Sequence, residues 1–484
     1  MFGKRISLWF GSLAVIFCIF ISSASAQLPI DSVRRTPLVT VIEKAEKTVV
    51  ALFAPDKSNT SMISGSGSIV NSNGYVLTNN HVVPSKGGYA VYDGQAIPFR
   101  VVGRLPERDI AMIQLSGERT WPASIVGRNN DLMNGETVIT AGNPGGRGVV
   151  FTAGIVSNKS MMTNASNALA MTQFSPSDGR DRFIQFDAAS NPGNSGGSLI
   201  DLESRLIGIV SGSFHQEQNV NYAIPIDQVR KSAMALLEPE MRHQRSTGIA
   251  ITPQLDACSI ASVEADSAAQ IAGLRVGDIV VSVNGVAVRQ ILDWAIALDQ
   301  TLQTHSKLEL EILSNGQPKK LTLETQPTPA LEATKLDATQ PGLRYQLYAG
   351  AFTKIPNFGP MSMEKEGAID QFLLSLVTKK GRENFAVVFD GYLDIKQAGL
   401  YRITLSSDDG SKLFLHDTLW IDNDFNHPPK PMSRLARMTE GLQPISIQYY
   451  QATGGAELAL TLTRVDESTW DETPVNPLFV CKPR

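Results

Sequence analysis

The stretch Asn191-Pro192-Gly193-Asn194-Ser195-Gly196-Gly197-Ser198-Leu199-Ile200 constrains this chain more than any other. Its glycines and proline demand a tight turn, and the Ser-Leu-Ile that closes it reads as the start of a strand. A serine in such a turn is a weak nucleophile by itself. It becomes an effective one when a base takes its proton and two backbone N–H groups stabilise the oxyanion that forms. Glycine's access to φ > 0 lets the amides of Gly193 and Ser195 approach a substrate carbonyl, so these are the candidate oxyanion donors. The same composition also suits an ordinary hairpin, and this stretch alone does not choose between the two.

Other segments narrow the choice. Upstream lie Gly65-Ser66-Gly67-Ser68-Ile69-Val70, then Gly74-Tyr75-Val76-Leu77-Thr78-Asn79-Asn80-His81-Val82-Val83, then Arg108-Asp109-Ile110-Ala111-Met112-Ile113. One histidine ends an apolar strand and one aspartate precedes another. The order His81, Asp109, Ser195 is that of the chymotrypsin-like double barrel, and differs from the orders of subtilisins and α/β-hydrolases. With Ala141-Gly142-Asn143-Pro144-Gly145-Gly146, Thr152-Ala153-Gly154-Ile155-Val156-Ser157 and Asn221-Tyr222-Ala223-Ile224-Pro225-Ile226-Asp227, residues 40 to 230 resemble the protease domain of the HtrA (DegP/DegS-like) serine proteases.

The resemblance implies a catalytic triad. Ser195 Oγ attacks the scissile carbonyl, His81 takes and returns the proton, and Asp109 fixes the imidazole tautomer and stabilises its cation. The pocket for the substrate side chain would lie just before the nucleophile, at Ala188, Ala189 and Ser190. No carboxylate is present there to hold Lys or Arg, so a small or aliphatic side chain is expected. Asp187 fits the family's Thr-Asp-Ala segment and is expected to hydrogen-bond structurally. The polar segment Asn158 to Asp181 fits both a mobile activation loop and a merely variable surface loop. Leu28 to Pro37 carries no clear aromatic anchor, so a homotrimer is implied by the resemblance alone.

The N-terminus carries Lys4 and Arg5, an apolar run from Ile6 to Ile21, and Ala24-Ser25-Ala26 before Gln27. This is the pattern of a cleaved secretory signal; a membrane anchor would need a longer apolar run. Its removal would take the formal charge from −4 to −6, which gives no support for nucleic-acid or anionic-membrane binding. Periplasm and extracellular space both fit. Cys18 leaves with the signal, and Cys258 and Cys481 are too far apart in sequence to read as a disulfide or metal framework. A chain of 484 residues with 42% hydrophobic and 19% charged residues is long enough for about three domains.

A helix is expected from Ile226 to Leu237, with Pro239 beyond it. Thr247-Gly248-Ile249-Ala250-Ile251 and Gly273-Leu274-Arg275-Val276-Gly277-Asp278-Ile279-Val280-Val281-Ser282-Val283-Asn284-Gly285 then resemble a PDZ domain, with a Gly277-Asp278 turn and an Asn284-Gly285 hairpin. In that family the loop at Gly248, Ile249, Ala250 and Ile251 captures the terminal carboxylate of a peptide, which pairs with the following strand. Ala250 departs from the usual Gly-Leu-Gly pattern, and a PDZ fold that only spaces its neighbours is the alternative. The helix from about Asp293 to Leu302 would form the other groove wall, although Ile296, Ala297 and Leu302 suit a core as well.

Gln326-Pro327-Thr328-Pro329 reads as a linker. Beyond it, Phe385-Ala386-Val387-Val388-Phe389-Asp390-Gly391-Tyr392-Leu393, Gly399-Leu400-Tyr401-Arg402-Ile403-Thr404-Leu405 and Ser406-Ser407-Asp408-Asp409-Gly410-Ser411-Lys412-Leu413-Phe414-Leu415 resemble a PA14 domain, a β-sandwich module. Some members hold calcium with adjacent aspartates to recognise sugars, which makes Asp408 and Asp409 candidate ligands, with Asp422, Asn423 and Asp424 nearby in composition. Asp-Asp-Gly-Ser is also ordinary turn chemistry.

The expected fold is mainly β: a chymotrypsin-like double β-barrel, then an α+β PDZ domain, then a PA14-like β-sandwich. The expected division is signal 1–26, protease 27–239, PDZ 246–326, linker 327–339 and PA14-like module 340–484. The expected function is an exported, ATP-independent endopeptidase that needs no cofactor for proteolysis and cleaves unfolded or damaged polypeptides. Its PDZ domain would bind C-terminal peptides, and its last module would bind a glycan or surface ligand. An idle scaffold, or a glycan-anchored sensor, is the competing expectation.

Overall fold

The computed structural model describes residues 34–162, 182–213, 219–252, 257–467 and 470–483. The expected signal sequence, most of the 28–37 segment, and residues 163–181 of the expected activation loop lie outside the described residues. The chain begins with helix α1 (Pro37–Ala45), where Thr36 caps the N-terminus by accepting from Val39 N and Pro37 occupies the first turn.

Six strands then close a barrel: β1 (Val49–Pro55), β2 (Met62–Ile69), β3 (Tyr75–Thr78), β4 (Gly87–Tyr92), β5 (Gln95–Leu105) and β6 (Ile110–Leu115), in the order β1-β2-β3-β6-β5-β4. Their inward residues, among them Val50, Leu52, Ile69, Val76, Phe99 and Ile113, pack with Trp121 into one core. After β7 (Ile125–Val126), a second sheet runs through β8 (Thr137–Gly142), β9 (Val150–Met162), β10 (Arg182–Phe186), β11 (Ser198–Asp201), β12 (Arg205–Ser213) and β13 (Asn221–Pro225). Pairing of β11 with β12 closes it, leaving β7 as a parallel edge strand. The active-site segments lie where these two barrels meet.

The helix expected over Ile226–Leu237 is broken into α2 (Ile226–Lys231) and α3 (Ala233–Leu237) at Ser232, followed by α4 (Pro239–Arg242). Glu238, in the left-handed region at φ 42°, turns the chain before Pro239, which cannot donate to a continuing helix.

The third region has strands Ile249–Ile251, Cys258–Val263, Ile279–Val283, Val286–Ala287, Lys307–Ser314 and Gln317–Glu324, with helices α5 (Ala268–Ile271) and α6 (Ile291–Leu302). Asn284 and Gly285, at φ 49° and 78°, make the two-residue hairpin between Val283 and Val286. Chain entry and exit meet in a short clasp, Arg245 opposite Pro327 and Ser246 opposite Gln326. α6 is buried on two faces. Trp294, Ala297 and Leu298 join the core of this region, while Leu292, Ala295 and Ile296 join a cluster with Tyr75, Leu105 and Leu236 of the first region. Asp299 is the polar centre of that second contact: Tyr75 OH donates to its Oδ2 at 2.7 Å, and Arg242 Nη1 and His243 Nε2 lie 2.8 Å from its Oδ1. Burial opposes its ionisation, yet the bonds from His243, Arg242 and Tyr75 outweigh this and hold the carboxyl below its usual range.

The last region is a two-sheet sandwich. An eight-stranded sheet built around Phe385–Ile395 and Gly441–Gln451 faces a four-stranded sheet built around Gly399–Asp408 and Glu457–Val465. Phe385, Phe389, Leu405, Leu413 and Tyr449 fill the space between them. The expected linker is fastened to this sandwich: Leu331 N donates to Arg437 O and Thr334 N to Leu442 O, each at 2.8 Å.

Asp299→Ala strands the buried partners of one carboxylate. It is expected to destabilise the protein by about 3–5 kcal/mol, read as a shift of the urea unfolding midpoint for the first and third regions. An unchanged midpoint would show that Asp299 does not hold them together.

Candidate active site

The nucleophile turn is two successive hydrogen-bonded turns, with Asn194 N bonded to Asn191 O (3.0 Å) and Gly197 N to Asn194 O (2.9 Å). Two glycines are sterically required. Gly193 sits at φ 100°, where a Cβ would fall 2.7 Å from Pro144 Cβ. Gly196 sits at φ 83°, where a Cβ would collide with Ser66 O and Thr78 Oγ1.

The opposite barrel clamps this turn through Ser66. Its N–H donates to Ser195 O (2.8 Å) and its hydroxyl to Gly193 O (2.6 Å), while that hydroxyl accepts from Asn143 N (2.9 Å). Among the described residues, neither the Gly193 nor the Ser195 N–H has an acceptor within the chain. The two candidate oxyanion donors therefore lie in one turn, whose Gly193 and Ser195 carbonyls are both held by Ser66.

His81 lies in a single helical turn, Asn80–Val82, at the end of β3. Asp109 follows the turn Pro106–Arg108 and opens β6 in the left-handed region, φ 52°. The two segments are sewn together by backbone as well as side chain. Asn80 N donates to Asp109 O (3.1 Å), Asn79 Nδ2 donates to the same carbonyl (3.0 Å), and His81 N donates to Asp109 Oδ1 (3.0 Å). His81 Nδ1 then lies 2.9 Å from Oδ2 and 3.0 Å from Oδ1. An ionised carboxylate only accepts, so Nδ1 carries the proton and Nε2 is left as the basic nitrogen. Burial pushes the Asp109 carboxyl up, and its bonds to His81 and Ser211 act against that.

Ser211, on β12, joins the parts. Its carbonyl accepts from Ser195 Oγ at 3.4 Å, and its hydroxyl donates to Asp109 Oδ2 at 3.4 Å. Neither Ser211 nor Ser66 was assigned a role from sequence. Their signal is a serine inside an otherwise apolar or glycine-flanked strand, Ile209-Val210-Ser211 and Gly65-Ser66-Gly67.

Of the expected pocket residues, Ala188 is buried in the core of the second barrel beside Phe186 and Val210, Ser190 is half-buried and Ala189 is exposed. Their backbone is fixed by Asn221 Nδ2 to Ala188 O (2.8 Å) and Thr152 Oγ1 to Ala189 O (2.6 Å). Asp187 Oδ1 accepts from Ile155 N at 2.7 Å, a structural bond of the kind expected for it.

In the third region Gly248 sits at φ 72°, and Ile249–Ile251 is an edge strand paired only with Cys258–Val263 among the described residues. Ala250 and Ile251 lie on that strand, which leaves its second edge open to an added one. The loop before it is partly self-satisfied. Ile249 N donates to Thr247 Oγ1 (3.2 Å), and Thr247 gives both its N–H (2.9 Å) and its hydroxyl to Glu240 on α4.

Several of the candidate calcium ligands of the last region already have partners within the chain. Asp409 accepts from Ala452 N at 2.8 Å and from the His427 backbone. Asp424 accepts from Ile355 N (2.5 Å) and holds the Lys412 ammonium at 2.6 Å, so a resident cation already sits on the loop. Asn423 donates to Ser407 Oγ and Lys430 O, and Asp422 accepts from Asp424 N. Calcium takes six to eight oxygens. Among the described residues no group of three or more His, Cys, Asp or Glu is arranged to hold a metal, and calcium at Asp408 and Asp409 is not shown.

Comparison with known proteins agrees with the geometry. Residues 65–209 match the trypsin-like peptidase domain, 259–312 the PDZ domain and 339–473 the PA14 domain. A probable periplasmic serine endoprotease, DegP-like, of Ectopseudomonas mendocina (strain ymp) is 31% identical over 300 residues, covering 58% of this chain and 60% of that protein. The periplasmic serine endoprotease DegP of Escherichia coli (strain K12) is 31% identical over 286 residues, covering 55% of this chain and 57% of DegP. The chain thus spans about 60% of the length of these relatives. The crystal structure of a serine endoprotease from Yersinia pestis is 25% identical, covering 61% of this chain and 99% of that one, with a TM-score of 0.36, too low an overlap to argue from.

Burial, then Asp409 and Glu457, push the Asp408 carboxyl up to about 6 from 3.8. A carboxyl raised on folding favours the folded state below pH 3.8 and loses that contribution as pH rises through 6. Asp408→Asn is therefore expected to raise Tm at pH 7.5 and to lose the gain towards pH 4, with added calcium shifting neither protein. A calcium-dependent rise in the wild-type Tm would show a metal site.

Proposed function

We propose, from a nucleophile turn of this geometry in a region similar to DegP-like serine endoproteases, that the chain is an HtrA-type serine endopeptidase. What supports this is a chain of contacts that runs from His81 Nδ1 to Asp109, from Asp109 to the Ser211 hydroxyl, and from the Ser211 carbonyl to Ser195 Oγ. In this reading Ser195 Oγ attacks the scissile carbonyl while His81 Nε2 takes its proton. Asp109 holds the Nδ1–H tautomer and stabilises the imidazolium. The N–H groups of Gly193 and Ser195 receive the negative charge that develops on the carbonyl oxygen. His81 then protonates the leaving amine, and water repeats the sequence on the acyl-enzyme. No step calls for a cofactor.

The substrates are unfolded or extended polypeptides with a small or aliphatic residue before the cut. The wall Ala188, Ala189 and Ser190 offers no charge for Lys or Arg, and the nearby Asp187 is occupied by Ile155 N. The PDZ region binds the C-terminal end of a peptide along the open edge of Ile249–Ile251 by strand addition. The PA14 region is an appended module that contacts a glycan or another surface ligand without metal. The protein is exported: residues 1–26 have the form of a signal sequence, both relatives named above are called periplasmic, and among the described residues no helix is long and apolar enough to cross a membrane.

Casein digestion tests the reading. Ser195→Ala is expected to lower turnover by about 10⁶-fold and Asp109→Asn by about 10⁴-fold, each with unchanged thermal stability. Equal digestion by wild type and Ser195→Ala would leave the idle scaffold as the function.

A further inference from the structure

The PA14 region meets the protease along a face directly behind the catalytic pair. The turn Pro106–Arg108, which delivers Asp109, packs against the PA14 strand Lys430–Met438. Glu107 is the middle residue of that turn. Burial pushes its carboxyl up, and Lys430, Arg108 and Arg402 act in the opposite sense. Two of those three cations belong to the PA14 sandwich.

A second route reaches the His81 segment. Arg104, on β5, donates through Nη1 to Asn80 Oδ1 (3.0 Å) and through Nη2 to Ser85 O, gripping the chain on both sides of His81. Both acceptors are neutral. Burial pulls the Arg104 guanidinium down to about 10, with Glu472 of the PA14 region opposing and Arg402 adding to the effect.

Arg402 connects the two routes. Its Nε donates to Glu472 Oε1 at 2.8 Å, and its Nη1 lies 3.6 Å from Glu238 Oε2, the residue between α3 and α4. Glu238 Oε1 also accepts from Leu435 N of the PA14 region at 3.3 Å. These groups line a cavity of about 290 Å³ with Arg104 and Trp470. Alongside it, Met241 packs on Leu400, Leu435 and Val465.

We propose that the PA14 module braces the His81–Asp109 pair, with Arg402 as a positioning residue that touches neither substrate nor reacting atoms. The proposal rests on the proteolytic reading above and adds a cause for the geometry of that site. A non-glycine residue at positive φ, as Asp109 is, costs free energy and persists only where its surroundings fix it. The PA14 strand supplies part of that fixing from outside the barrels. Removing the Arg402 charge leaves Glu238 and Glu472 without their shared cation and weakens the grip on 106–108. A misplaced Asp109 reduces the reactivity of bound substrate and leaves substrate binding alone.

The test uses the full chain. Arg402→Gln is expected to lower kcat on a peptide substrate about tenfold at unchanged KM. The acid limb of the kcat profile should move to lower pH, because a less well-held Asp109 stabilises the His81 cation less. In the Ser195→Ala background, the low-field Nδ1–H proton resonance of His81 should weaken or disappear on adding Arg402→Gln. If that resonance changes but wild type cleaves nothing, the brace stands and the protease reading falls. Should Arg402→Gln fail to fold, Glu472→Gln replaces it, with a smaller effect in the same direction. A folded variant with unchanged kcat, pH profile and His81 resonance would overturn the brace.

Discussion

One serine from the first barrel holds the Ser195 turn of the second. Ser66 fastens the Ser195 turn through its own N–H and hydroxyl, and it does so at a distance that glycine alone permits, since any side chain at Gly196 would strike the Ser66 carbonyl. This cross-barrel clamp explains the glycine-rich composition around Ser195 better than turn flexibility does. The backbone must pass close to another backbone, and a close approach in which the Gly193 and Ser195 carbonyls are both bonded to Ser66 is stiff. A rigid turn presents the Gly193 and Ser195 amides in fixed positions, as oxyanion stabilisation requires.

The same logic extends outwards. The His81–Asp109 pair is bound by bonds from the Asn79 side chain and the Asn80 N–H to the Asp109 carbonyl as well as by the imidazole–carboxylate contact. Around this core the accessory regions are joined by polar centres: the buried Asp299 towards the PDZ region, and the half-buried Glu238 with Arg402 towards the PA14 region. Buried charges are costly unless each has a partner, so such contacts favour one docking arrangement over looser ones.

Much of this was legible in the sequence because local strings carry local constraints. The His81, Asp109 and Ser195 segments announce themselves by flanking residues, and Asn284-Gly285 announces a hairpin because its two positive φ angles suit few other pairs. Pattern could not show what depends on distant partners. Ser66 and Ser211 look like ordinary strand serines until the fold brings them to residues more than a hundred positions away, or to sixteen in the case of Ser195. Lys412 is separated from Asp424 by a hairpin, so the ion pair between them could not be read from the string that contains Asp408 and Asp409. The break at Ser232 is likewise invisible to apolar spacing, which runs unbroken across it.

The clasp that sets Arg245 opposite Pro327 and Ser246 opposite Gln326 makes the intervening eighty or so residues an insertion with a single narrow stem. Chain leaving the protease returns beside its point of departure and goes straight on to the sandwich. A gene encoding such an architecture can lose, duplicate or exchange the middle unit without re-routing the polypeptide, because Glu238 and Met241, which reach the sandwich, precede the stem. Connectivity thus permits an exchange that packing opposes, because cutting out the middle unit would strip α6 from the core it shares with Tyr75, Leu105 and Leu236 and leave Arg242 and His243 without Asp299.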